Sequence, residues 1–243
     1  MRITRLYHPD DLICGETTVL DSNSSNHLIR VLRSKTGTDI ILFNGDGHDY
    51  LCATLDDNPK KTTVLINSRI RIDNESNLSI TLIQGLSRQD RMETTIQKSV
   101  ELGVNRIIPV LSQRSNVRLN KNNQQKKHEH WLKVCISACE QSGRSIIPEV
   151  AEILSLDEIR PLLNKNAQRF TLNPDASTSF KNIDSEEQDI EIFIGPEGGL
   201  TEEEIYFLKE NDFEDIRFGP RILRTETAGP AVISAIQMLW GDF

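Results

Sequence analysis

Apolar and polar residues alternate in two different ways along this chain, and the change falls after residue 72. The first part contains short alternating runs separated by turns such as Asn44–Gly47, and the runs cover residues 39–43, 50–55 and 61–66. Short strands joined by Gly- and Asn-rich turns predict a small β-barrel over residues 1–72. The segment 27–35 has the pattern of a short helix within that barrel.

Beyond an aperiodic linker at 73–77, apolar strands alternate with longer helical segments. The predicted strands are 78–84, 106–111, 169–172, 190–194 and 213–218, and the predicted helices are 90–102, 131–142, 201–210 and 225–240. This alternation is typical of a parallel sheet that helices cover on both faces. The predicted fold class is therefore α/β, with a second domain at residues 78–243.

The composition narrows the possible classes of protein. No apolar run approaches the roughly 20 residues that a membrane-spanning helix needs, and the first five residues lack the apolar core of a secretory signal, so we expect a cytoplasmic protein. The four cysteines (Cys14, Cys52, Cys135 and Cys139) form no CxxC pair and the five histidines show no metal spacing. Reduced, packed thiols are expected rather than a disulfide or a zinc site, and no metal is expected.

The net charge of −8 is distributed unevenly along the chain. Residues 1–72 carry 9 Lys and Arg against 9 Asp and Glu, residues 73–183 carry 15 against 12, and residues 184–243 carry 4 against 15. Binding to phosphates depends on the local patch rather than on the total. The negative net charge therefore does not exclude RNA binding by the protein. It argues only against an RNA-binding surface formed by the last quarter of the chain alone.

The strongest chemical signal follows the apolar strand that ends at Ile194. The loop Gly195-Pro196-Glu197-Gly198-Gly199 leads into a helix with Thr201 and Glu204 spaced as a capping box. Ligands of open α/β sheets bind beyond the carboxyl ends of the strands, where glycines allow a close approach. Glutamates in the first turn of the helix compete with a phosphate, which favours a ligand without one. A tight turn with no ligand is the alternative.

A second strand end, Phe218-Gly219-Pro220, also opens a helix, and two such ends would form neighbouring walls of one cleft. Arg221 and Arg224 follow it, and they either face that cleft or pair at the surface with Glu226. The following Ala228-Gly229-Pro230 is placed in the first turn of the last helix, where a proline is tolerated. That helix is apolar on most faces over residues 231–240, which predicts a homodimer.

These two motifs together closely resemble the RsmE family of small-subunit ribosomal RNA methyltransferases. The likeness also covers Tyr7-His8-Pro9 and the segments 27–33, 43–45, 96–104 and 138–144. It implies a SPOUT methyltransferase domain whose C-terminal segment forms a trefoil knot, preceded by a PUA-like barrel. It further implies a homodimer that methylates N3 of one uridine near the decoding centre of 16S ribosomal RNA, with S-adenosylmethionine as cofactor and the assembled subunit as substrate.

The resemblance also implies which residues bind the cofactor, through backbone groups rather than through a phosphate cradle. They are Leu172, Asn173, Pro174, Ile194, Gly195, Pro196, Glu197, Gly198, Gly199, Phe218, Gly219, Pro220, Arg221, Ile222 and Leu223. The N3 atom of uracil carries a proton, so either a base removes it or positive charge stabilises the uracil anion. The arginine candidates for catalysis are Arg88, Arg91, Arg221 and Arg224, and the rival carboxylate bases are Glu140, Glu197 and Glu226.

Contact with RNA is expected on the basic residues of the first domain, namely Arg2, Arg5, His27, Arg30, Arg33 and Lys35. In a helix over 27–35, Arg30 and Arg33 would share one face and contact phosphates, a solvated helix face being the alternative. Three other functions stay open: a SPOUT enzyme acting on a ribose hydroxyl or on tRNA, and a non-catalytic RNA-binding or ribosome-assembly factor. A nucleotide-dependent oxidoreductase is disfavoured because the chain lacks a phosphate-binding GxGxxG loop.

Overall fold

The computed structural model describes residues 3–115, 120–183 and 187–243, so the predicted RNA contact Arg2 lies outside the described residues. The chain forms two compact units. Unit 1 comprises Met1–Glu75 and Cys139–Ile147, and unit 2 comprises Ser76–Ala138 and Pro148–Phe243. The boundary after Glu75 falls inside the linker predicted at 73–77, whereas the segment 139–147, predicted for the second domain, packs with unit 1.

Unit 1 is built on a five-stranded mixed sheet. Its strands are β1 (Thr4–Tyr7), β2 (Thr17–Val19), β3 (Asp39–Phe43), β4 (His48–Thr54) and β5 (Thr63–Arg71). They are arranged in the order β1-β3-β4-β5-β2, with only the β1–β3 pair parallel among the described strand pairs of this sheet. Alternate residues such as Leu42, Cys52 and Val64 point into one apolar core, where burial raises the pKa of the Cys52 thiol to about 11. The predicted barrel-like sheet is therefore confirmed.

The predicted helix at 27–35 is shorter than expected. A helical turn, α1 (Ser22–Asn26), is capped by Asp21, whose carboxylate accepts hydrogen bonds from the N–H groups of residues 23 and 24. A π-helical turn follows and ends at Val31. Arg33 then adopts the left-handed conformation, with φ of 56°. The prediction that Arg30 and Arg33 share a helix face is therefore wrong, although both side chains are exposed.

Unit 2 is a seven-stranded sheet. Its strands are β6 (Ser79–Gly85), β7 (Arg106–Leu111), β8 (Glu149–Val150), β9 (Leu154–Ser155), β10 (Gln168–Leu172), β11 (Asp189–Ile194) and β12 (Glu214–Ile216). The order is β12-β10-β11-β6-β7-β8, β9 also pairs with β7, and these pairs are parallel. The parallel α/β fold predicted from the alternation of strands and helices is confirmed.

Helices cover both faces of this sheet. They are α2 (Gln89–Glu101), α3 (Lys121–Ser142), α4 (Glu202–Glu210) and α5 (Thr225–Trp240). Helices α2 and α5 pack together on one face, while Leu208 of α4 packs against Ile83 and Phe193 on the other. Because β6 and β11 lie at the centre, their side chains are buried on both faces, which explains their almost continuous apolar sequence.

Two helix predictions need correction. Helix α3 begins at Lys121 instead of residue 131. Its first ten residues could not be predicted from the pattern, because they are all polar and carry no apolar periodicity. Pro230 is the sixth residue of α5 rather than part of its first turn, so its missing N–H leaves the carbonyl of Glu226 without the usual helical partner. None of the described helices is long and apolar enough to cross a membrane. The trefoil knot stays a prediction.

Candidate functional site

A cleft of about 610 Å³ opens at the carboxyl ends of β10, β11 and β12. Neighbouring parallel strands end at the same edge of the sheet, so the loops that follow them lie side by side. The cleft is lined by the loops 172–174, 194–200 and 218–224. Its volume lies within the range of roughly 300–1,000 Å³ that is usual for small-molecule sites.

Most residues predicted to bind the cofactor line this cleft. The lining residues among them are Leu172, Asn173, Pro174, Ile194, Gly195, Pro196, Glu197, Gly199, Phe218, Gly219, Arg221, Ile222 and Leu223. Gly198 and Pro220 are not among them. Seven further residues line the cleft without having been predicted as site residues, namely Thr171, Leu200, Ile205, Leu208, Asp215, Thr225 and Ala228. Ile205 and Leu208 are three apart on α4, so the apolar periodicity of that helix was the signal that could have found them.

The loop after β11 depends on glycines for two different reasons. A Cβ on Gly85, at the end of β6, would lie 2.6 Å from the backbone nitrogen of Pro196, so only glycine lets the two strand ends meet. Gly199 has a positive φ of 71° and donates its N–H to the carbonyl of Pro196 at 3.0 Å. A Cβ on Gly198 would lie 2.5 Å from the carbonyl oxygen of Arg114. The close approach predicted for a ligand at Gly198 is thus a contact with the chain itself.

The first N–H groups of α4 are hydrogen-bonded by side chains of the same helix start. Thr201 accepts a hydrogen bond from the N–H of Glu204 at 3.3 Å, and Glu204 accepts one from the N–H of Thr201 at 2.9 Å, which confirms the predicted capping box. The second oxygen of Glu204 accepts a hydrogen bond from the N–H of Gln113 at 2.7 Å. With carboxylates in its first turn, this helix end does not offer a phosphate site.

Charged side chains form a cluster at the cleft, and we call Arg91, Glu197, Arg224 and Glu226 the mouth cluster. The first three of these residues line the cleft. Arg91 Nη1 lies 2.8 Å from Glu197 Oε1, and its Nε lies 3.9 Å from Glu226 Oε1. Arg224 Nη1 is also 3.9 Å from Glu226 Oε1. The second oxygens of Glu197 and Glu226 are buried and have no hydrogen-bond partner among the described residues. Each carboxylate therefore keeps an acceptor for a donor that the described part of the chain does not supply.

The other predicted catalytic residues divide between the two units. Arg221 is exposed and lines the cleft, whereas Arg88 is exposed but is not among the lining residues. Glu140 belongs to unit 1, where its carboxylate accepts the N–H of Tyr7 at 3.0 Å and burial raises its pKa. Glu140 is therefore not part of the cleft, all of whose lining residues belong to unit 2, and only Glu197 and Glu226 remain as candidate bases there.

The predicted RNA contacts of unit 1 differ in exposure. His27, Arg30, Arg33 and Lys35 are exposed. Arg5 is only 8% exposed, forms an ion pair with Asp49 and lies over the ring of Phe43 at 4.9 Å. Arg5 thus belongs to the packing of unit 1, and its role as a phosphate contact stays a prediction. Among the described residues, no three His, Cys, Asp or Glu side chains are grouped as metal ligands.

Two protein-family models match separate segments of the chain. An RNA methyltransferase domain model matches residues 74–237, and a model of the RNA methyltransferase PUA domain matches residues 20–66. The ribosomal RNA small subunit methyltransferase E of Buchnera aphidicola (from Acyrthosiphon pisum) is 31% identical over 100% of this chain and 96% of its own. The protein of the same name from Bacillus subtilis is 32% identical over 89% of this chain and 90% of its own.

Solved structures extend the likeness to the whole fold. A methyltransferase of Legionella pneumophila in complex with S-adenosylmethionine has a TM-score of 0.95 at 35% identity, covering 100% of both chains. The ribosomal RNA small subunit methyltransferase E of Neisseria gonorrhoeae, bound to S-adenosylmethionine, has a TM-score of 0.92 at 38% identity, again covering 100% of both chains. The resemblance to the RsmE family is confirmed, and this chain belongs to the ribosomal RNA small subunit methyltransferase E family of RNA methyltransferases.

Proposed function

We propose that this chain binds S-adenosylmethionine in the cleft and transfers its methyl group to N3 of a uridine in 16S ribosomal RNA of the small subunit. The names of the relatives support the substrate class, and the bound ligand of two similar structures supports the cofactor. A ribosomal substrate also supports a cytoplasmic location. The observation that carries the proposal is the cleft itself, where three loops predicted from the sequence meet beside a cluster of paired and unpaired charges.

The residues of the cleft suit S-adenosylmethionine better than a dinucleotide. Leu172, Leu200 and Leu223 offer an apolar wall of the kind that an adenine ring needs. Gly195, Gly199 and Gly219 leave backbone groups accessible for polar contacts. The acidic first turn of α4 opposes a pyrophosphate, whereas a ligand without phosphate and with positive charge meets no such opposition.

The cofactor, when bound, supplies an electrophilic methyl group on a positively charged sulfur. This chain must then align the acceptor, exclude water and handle the N3 proton of uracil. The second oxygens of Glu197 and Glu226 are acceptors for that proton or for its hydrogen bond. The exposed guanidinium groups of Arg221 and Arg224 are free to approach developing negative charge on the base, and Arg91 is oriented by two carboxylates.

A homodimer is part of the same proposal. Helix α5 leaves Met238 and Leu239 exposed near its end, at 67% and 54%, and Ile222 at the cleft is 84% exposed. Large apolar side chains in this number at one unit favour burial against a second copy. Light scattering at micromolar concentration should report twice the mass of the chain, and a monomer would contradict the dimer. The SPOUT trefoil knot implied by the resemblance belongs to this proposal as well.

Calorimetric titration with S-adenosylmethionine, S-adenosylhomocysteine and NAD tests the cofactor. The first two should bind and NAD should not. Gly199→Val should abolish binding because a branched side chain fills the cleft at a positive φ. Gly15→Val is the matched control, since Gly15 also has a positive φ, of 90°, and open space around it but lies in unit 1. Equal binding by both folded variants would contradict the location of the site.

The product of the reaction tests the acceptor. Unmodified small subunits and their free 16S RNA are incubated with the protein and S-adenosylmethionine, and the nucleosides are separated by mass spectrometry. N3-methyluridine is the expected product, from an unpaired or splayed uridine whose Watson–Crick edge is accessible. A methyl group on ribose, on C5, on a purine or only in tRNA would overturn the acceptor while leaving the cofactor assignment intact.

A further inference from the structure

Gln84, the last residue but one of β6, is fully buried in the middle of the sheet. Its neighbours Leu82 and Ile83 are apolar and equally buried. A buried amide costs free energy unless its polar atoms are hydrogen-bonded, so an apolar residue would suit this place better if packing were its only role. Only the Nε2 group of this amide is hydrogen-bonded, since Oε1 has no partner among the described residues, and the contacts of Nε2 therefore indicate why a glutamine stands here.

The amide of Gln84 is connected to the cleft through one hydroxyl. Gln84 Nε2 donates a hydrogen bond to Thr225 Oγ1 at 2.9 Å and another to the carbonyl of Gly85 at 3.1 Å. Thr225 Oγ1 in turn donates to the carbonyl oxygen of Gly195 at 2.9 Å. Thr225 and Gly195 line the cleft, while Gln84 lies behind them. We call Gln84, Thr225 and Gly195 the Gln84 relay.

Three further features depend on the same arrangement. Gly85 lets the backbone of Pro196 come close to β6, and a Cβ there would lie 2.6 Å away. A Cβ on Gly229 of α5 would lie 3.5 Å from Gln84 Oε1, an ordinary van der Waals distance, so α5 packs directly on the amide. Arg224, at the N-cap of α5, makes no capping hydrogen bond, and the hydroxyl of Thr225 is directed to Gly195 instead of to its own helix. The start of α5 and the loop after β11 are thus tied to one amide.

We propose that Gln84 is a positioning residue that fixes the carbonyl of Gly195 and the start of α5 before the cofactor binds. This inference rests on the proposed function only in taking the cofactor as the ligand of the cleft. A loop that already holds its bound shape loses less conformational freedom on binding, which strengthens the affinity. The relay passes no proton to the substrate, and its effect is on the shape of the loop 194–200.

The experiment compares two buried glutamines of unit 2. Gln237 is also fully buried, accepts a hydrogen bond from Ser76 at 2.7 Å and donates one to the carbonyl of Leu102 at 3.1 Å, and it does not line the cleft. In the ligand-free protein, Gln84→Met should speed amide hydrogen exchange in the segment 194–200 by roughly 5- to 10-fold, as expected for the removal of two hydrogen bonds. Gln237→Met should leave exchange in that segment unchanged.

Binding of S-adenosylhomocysteine gives the second measurement. Gln84→Met should weaken it by roughly 5- to 10-fold, and the KM for S-adenosylmethionine should rise by a similar factor with little change in kcat. Thr225→Val should reproduce both effects, and Thr225→Ser should rescue them because it keeps the hydroxyl. The double variant Gln84→Met/Thr225→Val should be no worse than either single variant, since both break one relay.

The outcomes separate this inference from the function on which it rests. If the unaltered protein binds no S-adenosylhomocysteine, the cofactor assignment fails, and hydrogen exchange at 194–200 still decides the role of Gln84. If Gln84→Met does not fold, Thr225→Val against Thr225→Ser takes its place. The inference is overturned if Gln84→Met and Gln237→Met have the same effect on exchange in 194–200, or if Thr225→Ser behaves as Thr225→Val does.

Discussion

Each unit holds an arginine among carboxylates, and the two arginines are used differently. In unit 1, Arg5 forms an ion pair with Asp49 and donates to the carbonyl of Arg144 at 3.1 Å and to Ser145 Oγ at 3.2 Å. The other oxygen of Asp49 accepts the hydroxyl of Ser145 at 2.5 Å. Glu75 is occupied in the same way, with both oxygens on the guanidinium of Arg144. The carboxylates of this network are satisfied within the chain.

In unit 2, the mouth cluster is left incomplete. Arg91 is 30% exposed, and both Glu197 and Glu226 keep one buried oxygen that nothing in the described ranges of the chain hydrogen-bonds. A carboxylate whose oxygens are all hydrogen-bonded holds a structure together, whereas an unsatisfied buried carboxylate oxygen is available to a ligand or to a proton. The sequence supports a functional role for Arg5 and for Arg91 equally well. The two arginines differ in their partner carboxylates, because only the carboxylates beside Arg91 keep oxygens without a hydrogen bond among the described residues.

The largest expected effect is on the stability of unit 1. Arg5→Met should lower the free energy of unfolding by about 3–5 kcal/mol, because it leaves Asp49 charged and buried without its partner. Arg91→Met should cost less than about 1 kcal/mol, since its ion pairs are more exposed. Urea unfolding followed by circular dichroism measures both. Equal decreases in the free energy of unfolding for Arg5→Met and Arg91→Met would contradict the proposed difference between the Arg5 network and the mouth cluster.

The next effect concerns the rate of methyl transfer. Arg221→Ala and Arg224→Ala should each lower kcat by about 10- to 100-fold while changing the affinity for S-adenosylhomocysteine less than about 2-fold, because their charge acts on the transition state. Arg217→Ala is the control, since Arg217 is not among the residues that line the cleft. If the affinity fell as far as kcat, these arginines would be cofactor contacts and not catalytic groups.

Local sequence patterns predicted most of the fold of unit 2 and two of the three loops of the cleft. Its central strands are buried on both faces and therefore carry apolar runs, and Thr201 and Glu204 give the start of α4 in the sequence alone. Two loops of the cleft, 194–200 and 218–224, could be predicted from the glycine-containing ends of their strands, whereas 172–174 was predicted only from the resemblance to the family. Their placement side by side is a consequence of that topology.

What the sequence could not provide depends on contacts between distant residues. Gln84 stands inside an apolar strand, and only its hydrogen bond to Thr225, 141 positions later, gives it a role. The segment 139–147 continues a helix and yet packs with unit 1, through groups such as Ser145 on Asp49. The burial of Arg5 likewise depends on residues 44 and 140 positions away. No local pattern records such pairings.

A smaller effect should distinguish exposed arginines from the buried Arg5. Replacing Arg30 and Arg33 by alanine should weaken binding to 16S RNA and lower the slope of log K against log salt by roughly 1 for each phosphate that is no longer neutralised. Folding and cofactor affinity should not change, since both side chains lie at the surface of unit 1. Lys60 and Lys61, which are exposed in the loop before β5, are the control pair. Equal salt slopes for the two double variants would show that Arg30 and Arg33 form a solvated surface that does not contact RNA.

The smallest effect compares two carboxylates of unit 1. Burial raises the pKa of Glu140 above its ordinary 4.5, against the opposing effects of the Tyr7 N–H, His27 and Arg5. A group whose pKa is raised in the folded state contributes stability that is present at low pH and is lost as the pH rises through the raised value. Glu140→Gln keeps an oxygen for the Tyr7 N–H and removes the buried charge.

Glu140→Gln should therefore stabilise the protein at about pH 7.5 by less than about 1 kcal/mol, with partial exposure limiting the gain, and should have no effect near pH 4. Glu75→Gln should do the opposite at about pH 7.5, because it breaks the satisfied pair with Arg144, whose side chain is 5% exposed. Urea unfolding at the two pH values measures both variants. A stabilising Glu75→Gln, or a destabilising Glu140→Gln at about pH 7.5, would show that the satisfaction of hydrogen bonds does not decide what a buried carboxylate contributes here.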